Sequence, residues 1–380
     1  MICAALPAAA GLALIALSAA ADRNWLDRHI LPHMFLSRGQ QLLWWEVERG
    51  AAILLGLLLV WPIRVWMTRQ IRAGKGGELA IQCALVLGAI LLSGLASELV
   101  LDAVAWHGVD RWAAREEPLR EPDARLGWTN RPGRTGFEAF GGHRVLYHID
   151  AGGHRLADPG GSLDPARPSI LFAGESIMFG FRLNWPETIA GRMQAATGLQ
   201  SVNLAVNGYG TDQAYMRLSR ELPHFTRPAA VVMLFAPSLL ERNLLDDRPY
   251  LDTALHWHPA QPHWRLQHVI RNVILYHGTR AIDDGIARTR TVLRATVSAA
   301  RARHAEALIL VPCFLPEQPA EREIRRHVLD DPGLPYVFVP LDSRWRLAGD
   351  GHPDAQANRA MADALRAALE RRRPDLFGAG

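Results

Sequence analysis

Two stretches without a single charged residue, 2–21 and 79–96, constrain the chain before anything else does. Each is close to the roughly 20 residues that an α-helix needs to cross the hydrocarbon core of a bilayer. Between them, residues 51–63 form a shorter apolar run that extends past Arg64 to Met67. Arg64 could snorkel, and Trp44, Trp45, Trp61 and Trp66 would sit at the interfaces. About three transmembrane helices are therefore expected within residues 1–106. Arg64, Arg69, Arg72 and Lys75 crowd the gap between the second and third runs, which favours the cytoplasmic side for that gap. Further arginines flank the other gaps: Arg23, Arg28, Arg38 and Arg49 in the first, and Arg111, Arg115 and Arg120 after the third run. The run at 2–21 also ends in Ser18-Ala-Ala-Ala21, which resembles a signal-peptide cleavage site, although no basic residue precedes it. Either reading puts a partner membrane, the inner (cell) membrane, at the N-terminus and the rest of the chain on its periplasmic or extracellular side.

Composition agrees with a membrane portion added to a globular one. The 380 residues are 49% hydrophobic, more than one compact domain needs. The net charge of +4 comes from arginines scattered among acids, with no basic stripe interleaved with aromatics, so nucleic acid is set aside as a partner. Cys3 and Cys83 fall in apolar runs and Cys313 stands alone after a strand-like run. No disulfide framework follows, and the three read as small apolar packing residues.

Residues 107–168, rich in Arg, Gly and Pro, read as a linker and a small β-rich entry, with extended pieces at 125–128 and 145–149. A boundary falls near Ser169. Beyond it, strand-length apolar runs at 170–173, 202–205, 231–235, 308–312 and 336–340 alternate with helical segments at 185–197, 211–222, 282–304, 318–328 and 354–371. Such alternation predicts a parallel sheet with helices on both faces over residues 169–380. Residues 244–280 break the rhythm with His, Trp and Pro, and an insertion of that length between strand-helix units is expected to form a lid or binding loop. His256, His258 and His263 within it lack the cysteine or carboxylate spacing of a zinc site, so neither metal nor cofactor is expected.

One serine stands at the end of the first of these runs. Ser176, in Gly174-Glu175-Ser176, sits where the reactive groups of open α/β sheets gather, at the carboxyl end of a strand. The same placement suits a helix-capping serine. A nucleophilic role needs a base and oxyanion donors, and the chain carries candidates for both. Asp350-Gly351-His352 precedes a helical stretch, Asn203 to Gly210 makes a glycine-rich turn after the second strand, and the backbone N–H of Ser176 can itself donate to an oxyanion. Together these blocks resemble the SGNH (GDSL-like) hydrolases, serine esterases and acyltransferases on a flavodoxin-like three-layer α/β sandwich. The resemblance covers about half the chain. It implies Ser176 as nucleophile, His352 as base, Asp350 as its orienter, and the amides of Ser176 and Gly208 as oxyanion donors. Asn207, Gln213 and Asn243 are the candidate substrate-binding residues.

The chain departs from the family pattern at three places. Glu175 stands where Asp is usual. The third block lacks its Asn: the strand ends Phe235-Ala-Pro-Ser238, so Ser238 takes that oxyanion position, with Asn243 five residues on. The usual Asp three residues before the histidine is Gly349; Asp350 stands two before, with Asp342 and Asp354 as fallback orienters. The expected activity is a membrane-anchored serine esterase acting on O-acyl, above all O-acetyl, groups of cell-envelope or exported polysaccharide, with an acylated glycan or small ester as substrate. One alternative is an O-acetyltransferase using the same triad with a separate multispan membrane partner that delivers the acyl donor. The other is a noncatalytic envelope glycan-binding protein.

Overall fold

The structure is a computed structural model that describes residues 2–113, 116–273 and 275–377; Arg115, counted above among the flanking basic residues, lies outside them. The chain divides into two compact units. One comprises residues 1–30, 36–107 and 263–277; the other comprises residues 31–35, 108–262 and 278–380.

The first unit is helical. Ile2–Ala20 is followed by the short helix Arg23–His29, capped by Asp22, whose carboxylate accepts from the Trp25 N–H at 2.8 Å. Arg38–Leu58 begins with a capping box between Ser37 and Gln40. It runs through a π-helical stretch, Leu59–Ile63, into Arg64–Arg72; Pro62 lies in that stretch and cannot donate to an α-helical ladder. The continuous helices Arg38–Arg72 and Gly76–Leu101 are long and apolar enough to cross a membrane. A third span exists if Ala5–Ala20 and Arg23–His29, bent by 84°, are taken as one. The second half of the insertion groups with this unit: helix Arg265–Val273 lays its N-terminal amides on Glu98, with Arg265 N and Leu266 N donating to its carboxylate at 2.6 and 2.7 Å.

The second unit is built on an eight-stranded sheet whose strands are β1 (Thr135–Phe140), β2 (His143–Ile149), β3 (Arg155–Leu156), β4 (Ser169–Ala173), β5 (Gln200–Asn203), β6 (Pro228–Leu234), β7 (Glu306–Phe314) and β8 (Tyr336–Leu341), in the order β8-β7-β6-β4-β5-β3-β2-β1. The five strands β4 to β8 are parallel. Counted from β4, their order is 2-1-3-4-5, the flavodoxin-like doubly wound arrangement, with its switch point between β4 and β6. Side chains alternate across the sheet as the period of two requires. Leu171, Val231, Met233 and Ile309 pack under Thr211–Glu221 and Thr279–Ala302, while Ile170, Phe172, Val232 and Leu308 pack under Ile189–Thr197 and Ala355–Arg372. The α/β three-layer sandwich expected from the strand-helix alternation is therefore present.

The entry segment does more than link. Its strands β1, β2 and β3 add antiparallel to the edge of the same sheet, through one bridge between Arg155 and Asn203. A separate ribbon, Arg120–Asp123 with Gly127–Asn130, completes it.

Candidate active site

Strand β4, buried along its whole length, delivers the chain to the carboxyl end of the sheet beside the switch point. Ser176 opens a single helical turn, Ser176–Phe179, and is 4% exposed. Glu175 is the N-cap, one carboxylate oxygen accepting from the Ile177 N–H at 3.2 Å. A turn this short leaves its carbonyls without helical partners. Arg155, fully buried, donates to the carbonyls of Phe179 (2.8 Å), Gly180 (2.7 Å) and Leu183 (2.5 Å), and Asn203 donates to those of Met178 and Phe179 at 3.2 and 3.3 Å. Burial pushes the Arg155 guanidinium down to about 10. That side chain belongs to the stretch from Asp150 to Arg155, where the Asp150 carboxylate folds the turn by accepting from the N–H groups of Gly152 (2.9 Å) and His154 (2.8 Å).

His352 arrives from the other end of the sequence. Residues 347–352 form a tight turn, with Leu347 N donating to His352 O at 2.7 Å and Asp350 N to Leu347 O at 3.1 Å. This folds the Asp350 carboxylate back onto His352. One oxygen accepts from the His352 backbone N–H at 3.0 Å and faces ring Nδ1; the other pairs with Arg182. On the far edge of the ring, Nε2 lies 2.8 Å from Ser176 Oγ. Ser176, His352 and Asp350 are thus in line, the geometry in which a serine proton can pass to an imidazole held by a carboxylate. Burial by itself would raise the Asp350 carboxyl, but the His352 ring and backbone N–H, with Arg182 behind them, outweigh it and hold the group below the usual carboxylate range. The two fallback residues are engaged elsewhere: Asp342 pairs with exposed Arg344, and Asp354 caps helix Ala355–Arg372.

Arg182 is anchored in turn. Its Nε donates to Glu138 at 3.0 Å, and its guanidinium lies over the rings of Phe140 (4.3 Å) and Phe181 (4.9 Å). Phe181 also meets the His352 ring edge-on, with centroids 5.1 Å apart.

The remaining site candidates divide. Gly208 has φ of +86°, and a Cβ there would lie 3.3 Å from the Trp128 ring, so the turn that presents its amide needs glycine. Asn207 is buried, and its side-chain oxygen has no protein donor among the described residues. Gln213 is engaged at both ends, accepting from Gly210 N at 3.0 Å and donating to Leu126 O at 2.7 Å, so it holds a helix start rather than a ligand. Asn243 likewise binds Thr211 and Thr289. Ser238 is half-buried in the 3₁₀ segment Pro237–Leu244. Beside Ser176 that segment places Arg242, paired with the Glu175 carboxylate at 3.3 Å. The same Glu175 oxygen receives the Ser176 hydroxyl. A hydroxyl has one hydrogen, so Ser176 donates either to Glu175 or to His352 at any instant, and only the second is the reactive arrangement.

The sheet order is that of the flavodoxin-like sandwich expected from the sequence. No protein-family model and no curated protein matches the chain. Among solved structures, the chain is similar to a carbohydrate acetylesterase family member from Sinorhizobium meliloti (14% identity, TM-score 0.34, 56% of this chain and 100% of that one). It is similar to a carbohydrate esterase with divergent catalytic and non-catalytic binding functions (11% identity, TM-score 0.37, 66% and 91%). It is also similar to the salicylyl-acyltransferase SsfX3 of a tetracycline biosynthetic pathway (15% identity, TM-score 0.29, 54% and 55%). These likenesses are of fold, and the site rests on its own hydrogen bonds.

Proposed function

We propose that the chain is a membrane-anchored SGNH-type serine esterase acting on O-acyl, foremost O-acetyl, groups of cell-envelope or exported polysaccharide. One observation carries the reading: a 2.8 Å contact joins Ser176 Oγ to His352 Nε2, with Asp350 on the opposite ring nitrogen, beside the switch point of the sheet. Ser176 Oγ attacks the ester carbonyl while His352 takes its proton. The amides of Ser176 and Gly208 receive the oxyanion. Collapse breaks the ester bond, His352 returns the proton to the departing alcohol, and water repeats the sequence on the acyl-enzyme. A sugar hydroxyl in place of water would make the same triad a transferase, with its acyl donor supplied by a separate multispan membrane protein. No step needs a cofactor.

The periplasmic or extracellular placement is supported by parity. Residues 31–35 lie between the first two apolar helices yet belong to the catalytic unit. An even number of crossings must then separate residue 35 from residue 108, and Arg38–Arg72 with Gly76–Leu101 make two. The turn between these helices, flanked by Arg69, Arg72 and Lys75, takes the cytoplasmic side by the positive-inside rule.

A fluorophosphonate probe tests the reading on the full chain in detergent. Ser176 should be labelled stoichiometrically, with aryl acetate hydrolysis lost in parallel, and Ser176→Ala should abolish both. Full labelling of that variant would refute the nucleophile.

A further inference from the structure

Between the first two apolar helices, Leu31 to Phe35 lies against the catalytic base. Leu31 and Met34 are 7% and 5% exposed, on opposite faces of the sheet's core. The Phe35 ring lies 4.8 Å from the His352 ring, tilted by 50°. Its edge would stand 3.3 Å from a Cβ on Gly351, the residue between Asp350 and His352. Arg346 Nη1 donates to both Met34 O (2.9 Å) and Gly351 O (2.7 Å), which clips the segment to the turn that carries the base. Phe35 N donates to His33 Nδ1 at 3.1 Å, so the segment is closed on itself where it presents the ring. His33 is half-buried, and the charges that act on it are Glu241 and Arg242, the latter being the partner of Glu175 beside Ser176.

Resting on the triad reading above, we propose that Leu31 to Phe35 is a working part of the active site and that Phe35 is a positioning residue, holding the His352 ring against Ser176 jointly with Phe181. The physical reason is rotational. Asp350 fixes one edge of the imidazole, but a single hydrogen bond leaves the ring free to rock about it. Two aromatic contacts, at 4.8 and 5.1 Å, restrict the rocking and exclude water, leaving Nε2 directed at the serine hydroxyl. Because the imidazole must take a proton and give it back in each half of the reaction, lost alignment should appear in turnover, not in the binding of a small ester.

The test uses the full chain in detergent with an aryl acetate. Phe35→Ala should lower kcat roughly ten- to a hundred-fold with KM within about twofold, and should slow fluorophosphonate labelling of Ser176 by a similar factor. Phe35→Leu, which keeps an apolar contact, should recover most of the loss. Turnover within about twofold of the parent in Phe35→Ala would overturn the proposal, as would a loss that Phe35→Leu fails to recover while its melting temperature matches the parent. Ser176→Ala is run alongside: if that variant keeps full activity, the triad reading itself has failed, whatever the Phe35 variants do.

Discussion

Replacing Asp350 with asparagine probes the site more sharply than removing the side chain, because the structure surrounds that carboxylate with donors on both oxygens. One oxygen faces the His352 ring and its backbone N–H at 3.0 Å; the other faces the Arg182 guanidinium. An amide has one acceptor oxygen and one NH₂, so either orientation sets a donor against a donor. The orientation that keeps oxygen toward the cation is the less costly. It turns the NH₂ onto Nδ1, and the imidazole must then carry its hydrogen on Nε2. That tautomer donates to Ser176 Oγ instead of accepting from it, and general-base catalysis is lost. The same substitution in a serine protease triad lowers kcat by about 10⁴ through the wrong tautomer. Four factors of ten correspond to about 5 kcal/mol of transition-state stabilisation. We expect a fall of about 10³ to 10⁴ in aryl acetate turnover by full-length Asp350→Asn, with labelling of Ser176 slowed in proportion. Asp342→Asn should stay within about twofold, since among the described residues that carboxylate meets exposed Arg344 alone. A fall of less than tenfold in Asp350→Asn, with an unchanged melting temperature, would refute the orienting role. Greater damage from Asp342→Asn would transfer it.

Two further variants follow from the same geometry. Arg182→Met leaves Asp350 and Glu138 without a cation in a site where the Arg182 and Asp350 side chains are 18% and 10% exposed, which should cost about 3 kcal/mol at pH 7. Asp350 is held below its usual range, so its stabilisation is present above about pH 4, the unfolded-chain value, and is lost as pH falls through the folded value. The gap in melting temperature between parent and variant should therefore be full at neutral pH and narrow below about pH 4; a gap independent of pH would contradict the ion-pair account. Gly208→Ala forces a side chain into a left-handed turn, at about 1 to 2 kcal/mol, and sets a Cβ 3.3 Å from the Trp128 ring. Turnover should drop on the order of 100-fold with KM little changed, and undiminished turnover would remove Gly208 from the oxyanion site.

Much of this molecule was legible in the chain because its signals are local. Uncharged apolar runs identify membrane-length helices. Strand-length apolar runs alternating with helical segments identify a doubly wound sheet, and Gly-Glu-Ser after one strand with Asp-Gly-His before the last helix picks out the two segments that the structure brings to a 2.8 Å Ser176–His352 contact. Each depends on residues within a few positions of one another. Other features depend on partners that only folding brings close, and no spacing announces them. Arg182 and Asp350 are 168 residues apart, and Arg346 meets Met34 across 312. Tertiary contacts that the sequence does not announce occupy the amides of Gln213 and Asn243, and the segment that carries Ser238 also sets Arg242 beside Glu175. The β-rich character of the entry segment is legible in its short extended pieces at 125–128 and 145–149, but its place in the sheet is not. The segment became the sheet's edge because β5 had backbone groups left to pair, and Arg155 reaches from there to carbonyls that a four-residue helix cannot satisfy for itself. Hydrophobic period and turn chemistry are written along the chain, whereas the pairing of buried charges and carbonyls is decided by which distant segments the sheet order places side by side.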